Sequence, residues 1–271
     1  IHEDPVRPGL LYLGTENALY VSFDDGANWQ SLNTDLPASP VYGLYIQEHF
    51  NDLVVGTYGR GFWILDDITP LQQLTSEVID SDVHLFEPRS AYRFRTREST
   101  VSQPEDSGAG TNPAYGASLH YYLPDELDDD DNLSIIIFDA HGEIVRTLSE
   151  LPRAAGINRV HWDLRYEQTD EPKLRMPAFE HAHVRADPDS GFRPVGDGSR
   201  VAVLAPPGEY TVRLTLGDVE LGSFLAVLKD PHSAGSEAEI QVQMALLFEL
   251  REALNDAVAL INEIDSPREQ L

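Results

Sequence analysis

Apolar residues along the first 75 positions alternate with polar ones in short runs of four to seven. Gly, Asn, Asp and Pro punctuate the gaps. LLYLGT (10–15), ALYVSF (18–23), VYGLYIQ (41–47), DLVVGTY (52–58) and GFWILDD (61–67) are rich in β-branched and aromatic residues and read as strands. Each follows the last closely, which predicts an antiparallel meander. LYLGTENALYVS and LVVGTYGRGFWI share one theme: strand, Gly-Thr, short turn, strand. The spacing is an internal repeat of about 40–45 residues, the period of a four-stranded propeller blade.

Residues 84–230 carry a second set of strand patterns. ASLHYYLP (117–124), LSIIIFD (133–139), EIVRTLS (143–149), NRVHWDL (158–164), GEYTVRLTL (208–216) and LGSFLAVLK (221–229) predict a β-sandwich of immunoglobulin or fibronectin-III type, with Trp162 in its core. DAHGEI (139–144) suits a tight hairpin. Residues 165–199 are polar, Pro-containing and aperiodic, the pattern of a long surface insertion. The period then changes. Ile240, Leu247, Leu254 and Ile261 recur every seven residues beside Met244, Leu250, Val258 and Ile264, and Ser236 with Glu239 makes a capping box. A long amphipathic helix is predicted over 235–265. Its apolar face must pack on the sandwich or on other protein, and self-association through 235–264 is one expectation. The fold class expected is therefore mainly β, with partial propeller blades at 1–75, a sandwich at 84–230 and a C-terminal helix.

Composition narrows the partners. The formal charge of −27 argues against nucleic acid and anionic lipid. Lys173 and Lys229 are the two lysines, and carboxylates with so little lysine resemble a salt-adapted proteome as much as an ordinary acidic secreted protein. The absence of cysteine excludes disulfides, thiolate metal sites and a cysteine nucleophile. No run is long and apolar enough to span a membrane. The first residues read as the interior of a fold, so a chain starting inside a longer protein is expected, with any export signal upstream.

Residues 20–30, YVSFDDGANWQ, contain Ser22, Asp24, Gly26 and Trp29 at the spacing S-x-D-x-G-x-x-W, an Asp box. Asp24 can accept backbone N–H groups of the turn, Gly26 supplies a positive φ, and Trp29 is expected to bury its ring between neighbouring sheets. The device stabilises a hairpin and is not a catalytic acid. With this box, IHEDPVRPGLLYLGTENALYVSFDDGANWQSL followed by VVGTYGRGFWILDDITPL resembles the final blades of Asp-box propeller proteins, the BNR-repeat glycosyl hydrolases and sortilin-like proteins. GTNPAYGASLHYYLP, IIIFDAHGEIVRTL, GINRVHWDLRY and PPGEYTVRLT resemble the sandwich that follows the propeller in that group, and an Ig-like module of flagellar hook-capping type. The resemblance implies a secreted or periplasmic protein that binds or degrades polysaccharide, or a scaffold that recognises peptides.

Glycosidic hydrolysis needs two carboxylates flanking the substrate. Within 1–75 the candidates are Asp66 and Asp67, read as a turn cap and a surface charge, and the loop residues Glu16 and Glu48. None forms a convincing pair, so no catalytic residue is assigned. Tyr58, Arg60 and Trp63 of YGRGFW are candidate ligand contacts through stacking and a guanidinium fork, against a bland reading as a glycine-rich bend. The acidic run Asp125–Asn132 reads as a solvated loop, and His181 and His183 as residues of the polar insertion. No metal or cofactor is expected.

Overall fold

The computed structural model describes residues 1–33, 35–94, 112–175, 186–188, 190–193 and 200–268. The protein is mainly β, with several sheets and a long C-terminal helix.

Strands β1 (His2–Glu3), β2 (Leu11–Gly14), β3 (Leu19–Ser22) and β4 (Gln30–Ser31) form an antiparallel sheet in sequence order. A second meander follows from β5 (Val41–Gln47), β6 (Asp52–Thr57) and β7 (Phe62–Leu65). Alternation puts Tyr12, Leu19 and Val21 of the first sheet against Ile46, Leu53 and Val55 of the second, in one buried cluster with Leu10 and Ile68. The sheets meet closely where β2 ends: a side chain on Gly14 would lie 2.4 Å from Val41 Cγ1. Two short helices, α1 (Thr69–Gln73) and α2 (Ser76–Ile79), close this half. The buried Asp4, next to β1, holds α1: its carboxylate accepts Val6 N at 2.8 Å and Arg7 N at 2.9 Å, and Gln72 Nε2 reaches it from α1.

The second half has two sheets around one core. β8 (His84–Leu85), β10 (Ala117–Leu123) and β13 (Gly156–Trp162) form a three-stranded sheet, ordered β13-β10-β8. β9 (Ala91–Arg93), β11 (Leu133–Phe138), β12 (Ile144–Leu148), β14 (Gly208–Leu216) and β15 (Val219–Lys229) form the other, ordered β12-β11-β14-β15-β9. All its pairs are antiparallel except β15 with β9. Leu119, Tyr121 and Leu123 from one sheet share a core with Ile135, Ile137, Val212 and Leu214 from the other. Trp162 is fully buried there; its Nε1 donates to the Arg165 carbonyl at 2.9 Å, and its ring meets Tyr210 edge-on. The predicted hairpin at 139–144 forms, with Asp139 Oδ1 accepting His141 N and Glu143 N.

Part of the predicted insertion is built into this half. Tyr166, Glu167 and Thr169 donate backbone N–H groups to Val203, Val145 and Val201, and Thr169 is buried. Polarity misleads here because the segment is held by main-chain pairing. His181 and His183 lie outside the described residues.

Helix α3 (Glu237–Arg268) opens with the predicted capping box: Ser236 N donates to Glu239 Oε2 at 2.7 Å and Glu239 N to Ser236 Oγ at 3.2 Å. Ile240 and Met244 enter the core, with Leu247 and Phe248 against it. The distal half behaves differently. Leu250, Leu260, Ile261 and Ile264 are exposed, while Asn255 and Asn262 accept the backbone N–H groups of Asp170 and Lys173. The seven-residue repeat thus splits between a packed first half and a largely open second half. No helix among the described residues is long and apolar enough to cross a membrane.

Candidate functional site

The Asp box closes the turn between β3 and β4. Ser22 Oγ donates to Asp24 Oδ1 at 2.8 Å and accepts Gly26 N at 2.9 Å. Asp24 Oδ1 also accepts Asn28 N at 2.8 Å, and Oδ2 accepts the Asn28 side-chain amide at 2.6 Å. Those bonds, led by Asn28, hold the Asp24 carboxyl below its usual range. Both carboxylate oxygens of Asp24 serve the turn. Trp29 departs from expectation. It is half-buried and lies over Gly26, whose φ of 85° brings the turn back beneath the ring, rather than in the core between the sheets. A methyl group on Gly26 would sit 3.4 Å from Trp29 Cζ2. Gly26→Ala should therefore lower the unfolding free energy by about 1–2 kcal/mol, read by urea titration; an unchanged midpoint would show that the turn tolerates an L-residue there.

The YGRGFW candidates separate. Tyr58 and Arg60 are exposed at the β6–β7 turn, and Tyr58 meets Tyr42 edge-on at 5.6 Å between centroids. Trp63 turns inward against the core of the first half, its Nε1 donating to the Arg60 carbonyl at 3.0 Å. Alternation explains the split: Leu44, Val55 and Trp63 share the packed face, while Tyr45, Val54 and Ile64 share the other. That outer face is open. Tyr45, Phe62 and Ile64 are exposed on it, Phe62 at 82%, and Tyr42 and Tyr58 are exposed beyond its end. Apolar and aromatic side chains on this half are thus left uncovered.

The sequence did not reveal a third constellation, where the two halves meet. Ser118, His120 and Tyr122 of β10 alternate away from the core, and register places Arg159 opposite His120 and His161 opposite Ser118. Polar residues at these positions would ordinarily mark a wet face, yet His120 is 3% exposed. The loop after β7 covers it. Arg159 Nη2 donates to the Asp66 carbonyl at 2.8 Å, and Asp67 Oδ2 lies 3.2 Å from Arg89 Nε and 4.0 Å from His120 Nδ1. Asp67 is 3% exposed, so it is not a surface charge. It holds φ at 57°, and its Oδ1 accepts Thr69 N at 3.3 Å. Asp66 is half-buried, and burial, then the nearby Asp52, raise its carboxyl above the usual range. Arg89 also stacks over Phe50 and Tyr92 meets His49 and Phe50, extending the seam.

The protonation pattern follows from geometry. Arg159 Nε donates to His120 Nε2 at 3.0 Å, so Nε2 is the acceptor and the imidazole proton sits on Nδ1, facing Asp67. Burial, then the charges of Arg159, His161 and Arg89, push His120 down to about 3. Its one lone pair is occupied by Arg159, which leaves no nitrogen to take a substrate proton. The cluster locks two units together rather than activating a nucleophile.

Asp128 and Asp131 of the acidic run close a turn on themselves, and Arg153 Nη1 donates to both their carbonyls. Among the described residues no group of three His, Asp or Glu is placed to hold a metal ion. Glu16 and Glu48 are exposed and enter none of these constellations. No family model, curated protein or solved structure matches the chain.

Proposed function

We propose that this chain is the non-catalytic closing part of a secreted or periplasmic Asp-box propeller protein of glycosidase-like type, acting on polysaccharide by binding it. The observation that carries the reading is the second meander: one face packs on the β1–β4 sheet, and the opposite face, with Tyr45, Phe62 and Ile64, stands open. A radial stack of sheets leaves such a face at its last member. The Asp-box hydrogen bonds support the same reading, and the two-sheet core around Trp162 supports an Ig-like sandwich behind it. Tyr42 and Tyr58, at the end of the open face, offer rings on which sugar rings stack.

Affinity electrophoresis in xyloglucan gels tests this directly. The chain should be retarded, and the double variant Tyr42→Ala/Tyr58→Ala should bind about tenfold more weakly with its melting temperature unchanged. No reducing sugar should be released. Retardation that survives the double variant would remove these rings from the binding surface.

The exposed edge of β7 favours a second reading, a peptide-recognising scaffold of sortilin-like type. β7 is the last strand of its sheet, and an extended peptide could add to it. Binding of extended peptides but not glycans would select that reading.

A further inference from the structure

In a chain of charge −27, basic side chains should be consumed by neighbouring carboxylates. Arg93, Arg165 and Lys229 are among those that pair with no carboxylate of the described residues, and these three line one cavity. Arg93 at the end of β9, Arg165 beyond β13 and Lys229 at the end of β15 border a cleft of about 730 Å³, closed on one side by Val201–Leu204 and on another by Ile240 and Leu247 of α3. All three are half-buried, and none forms an ion pair among the described residues.

Their hydrogen bonds go to main-chain carbonyls. Arg93 Nε donates to Ala205 O at 2.9 Å, Arg165 Nη1 to Ala202 O at 2.8 Å, and Lys229 Nζ to Ser233 O at 2.6 Å. These bonds fix the stems and leave both terminal nitrogens of Arg93 and one of Arg165 without an acceptor among the described residues. A guanidinium fork held this way suits a carboxylate in bidentate contact. The two acids on the wall each have one oxygen engaged close by. Asp230 Oδ1 is turned onto His232 N at 2.8 Å, and Glu239 Oε2 is engaged by Ser236 in the capping box. Three cations against two carboxylates give this lining a formal charge of +1 within an acidic molecule. Its volume falls in the small-molecule range of roughly 300–1,000 Å³.

We propose that this cleft binds a small molecule bearing carboxylates, through Arg93, Arg165 and Lys229. The inference stands apart from the polysaccharide reading, which concerns the aromatic face of the other half. Calorimetric titration of the full chain at low ionic strength, with trigalacturonate, citrate and uncharged maltotriose, tests it. Saturable binding of trigalacturonate or citrate, with none for maltotriose, is expected; which one binds tells an acidic sugar from a free organic acid. Arg93→Gln and Arg165→Gln should each weaken binding at least about tenfold, while Arg213→Gln on the central strand β14, outside the cleft lining, should not. Absence of saturable binding of both carboxylate probes at millimolar concentration would overturn the proposal, as would equal loss in the Arg213 variant. Should a variant fail to fold, amide shift mapping on the unmodified chain decides: ligand-induced shifts must centre on Val201–Leu204 and Gln243, and shifts centred elsewhere overturn it.

Discussion

Asp67→Ala is expected to lower the unfolding free energy by about 3–4 kcal/mol, among the largest single-residue effects in the molecule. The substitution leaves the Arg89 guanidinium facing the closed seam without its carboxylate at 3.2 Å. It also removes the acceptor for Thr69 N and places alanine at φ 57°. Arg89 is partly exposed, so solvent takes back some of the cost, and the lower end of the usual range for breaking a buried pair applies. Urea titration gives the value. The double variant Asp67→Asn/Arg89→Met should recover part of the loss, because the uncompensated charge goes with its partner. A loss below about 1 kcal/mol for Asp67→Ala would mean that the seam is not an energetic lock.

The same seam sets an acid response. His120 is held down to about 3 in the folded protein against an ordinary 6.5. Between those values the unfolded chain binds a proton that the folded one refuses, so stability is complete above about pH 6.5 and is lost as the pH falls toward 3. His161 and His84 are lowered by burial in the same direction. Unfolding free energy measured from pH 7 to pH 4.5 should fall, and His120→Gln should flatten the slope. An identical slope in that variant would place the acid sensitivity elsewhere.

Trp162→Ala is the second large effect, about 3–5 kcal/mol, from the cavity left in a fully buried site and the lost edge contact with Tyr210. Trp162→Phe should cost less, yet still strand the Arg165 carbonyl that Trp162 Nε1 satisfies. Comparing the two by thermal melts separates volume from hydrogen bonding. If Phe costs as much as Ala, the indole N–H dominates. Because that bond positions Arg165, the Phe variant should also weaken anion uptake in the cleft described above.

The strands were legible because period-two alternation and turn residues act locally. VYGLYIQ and GEYTVRLTL match β5 and β14 residue for residue. The two- and three-residue strands β1, β4, β8 and β9 were not legible, since so few residues carry no period; pairing with a neighbour defines them. The Asp box was readable for the same local reason, its bonds spanning four residues. The junction was not. His120 and Arg159 are 39 positions apart, and Asp67 and Arg89 are brought to them only by packing of the two halves. A sequence marks such a site only as polar residues on a strand face, a pattern shared with every wet sheet. The basic cleft was hidden equally well, with its three cations contributed by separate elements of a strongly acidic chain.

Residues 84–93 leave one sheet of the second half and enter the other: β8 pairs with β10, and β9 pairs in parallel with β15. This short crossing directly follows the first half and carries Arg89, so a pull between the two halves is delivered through it. β9 is only three residues long, with Val227, Leu228 and Lys229 opposite Ala91, Tyr92 and Arg93. Tension along the strand loads these pairs together, in shear, and not one at a time as peeling would. The crossing thus couples the halves mechanically: tension from the first half meets the β8–β10 pairs before it reaches the β9 ladder, and the Asp67–Arg89 contact holds the first half against the segment between them.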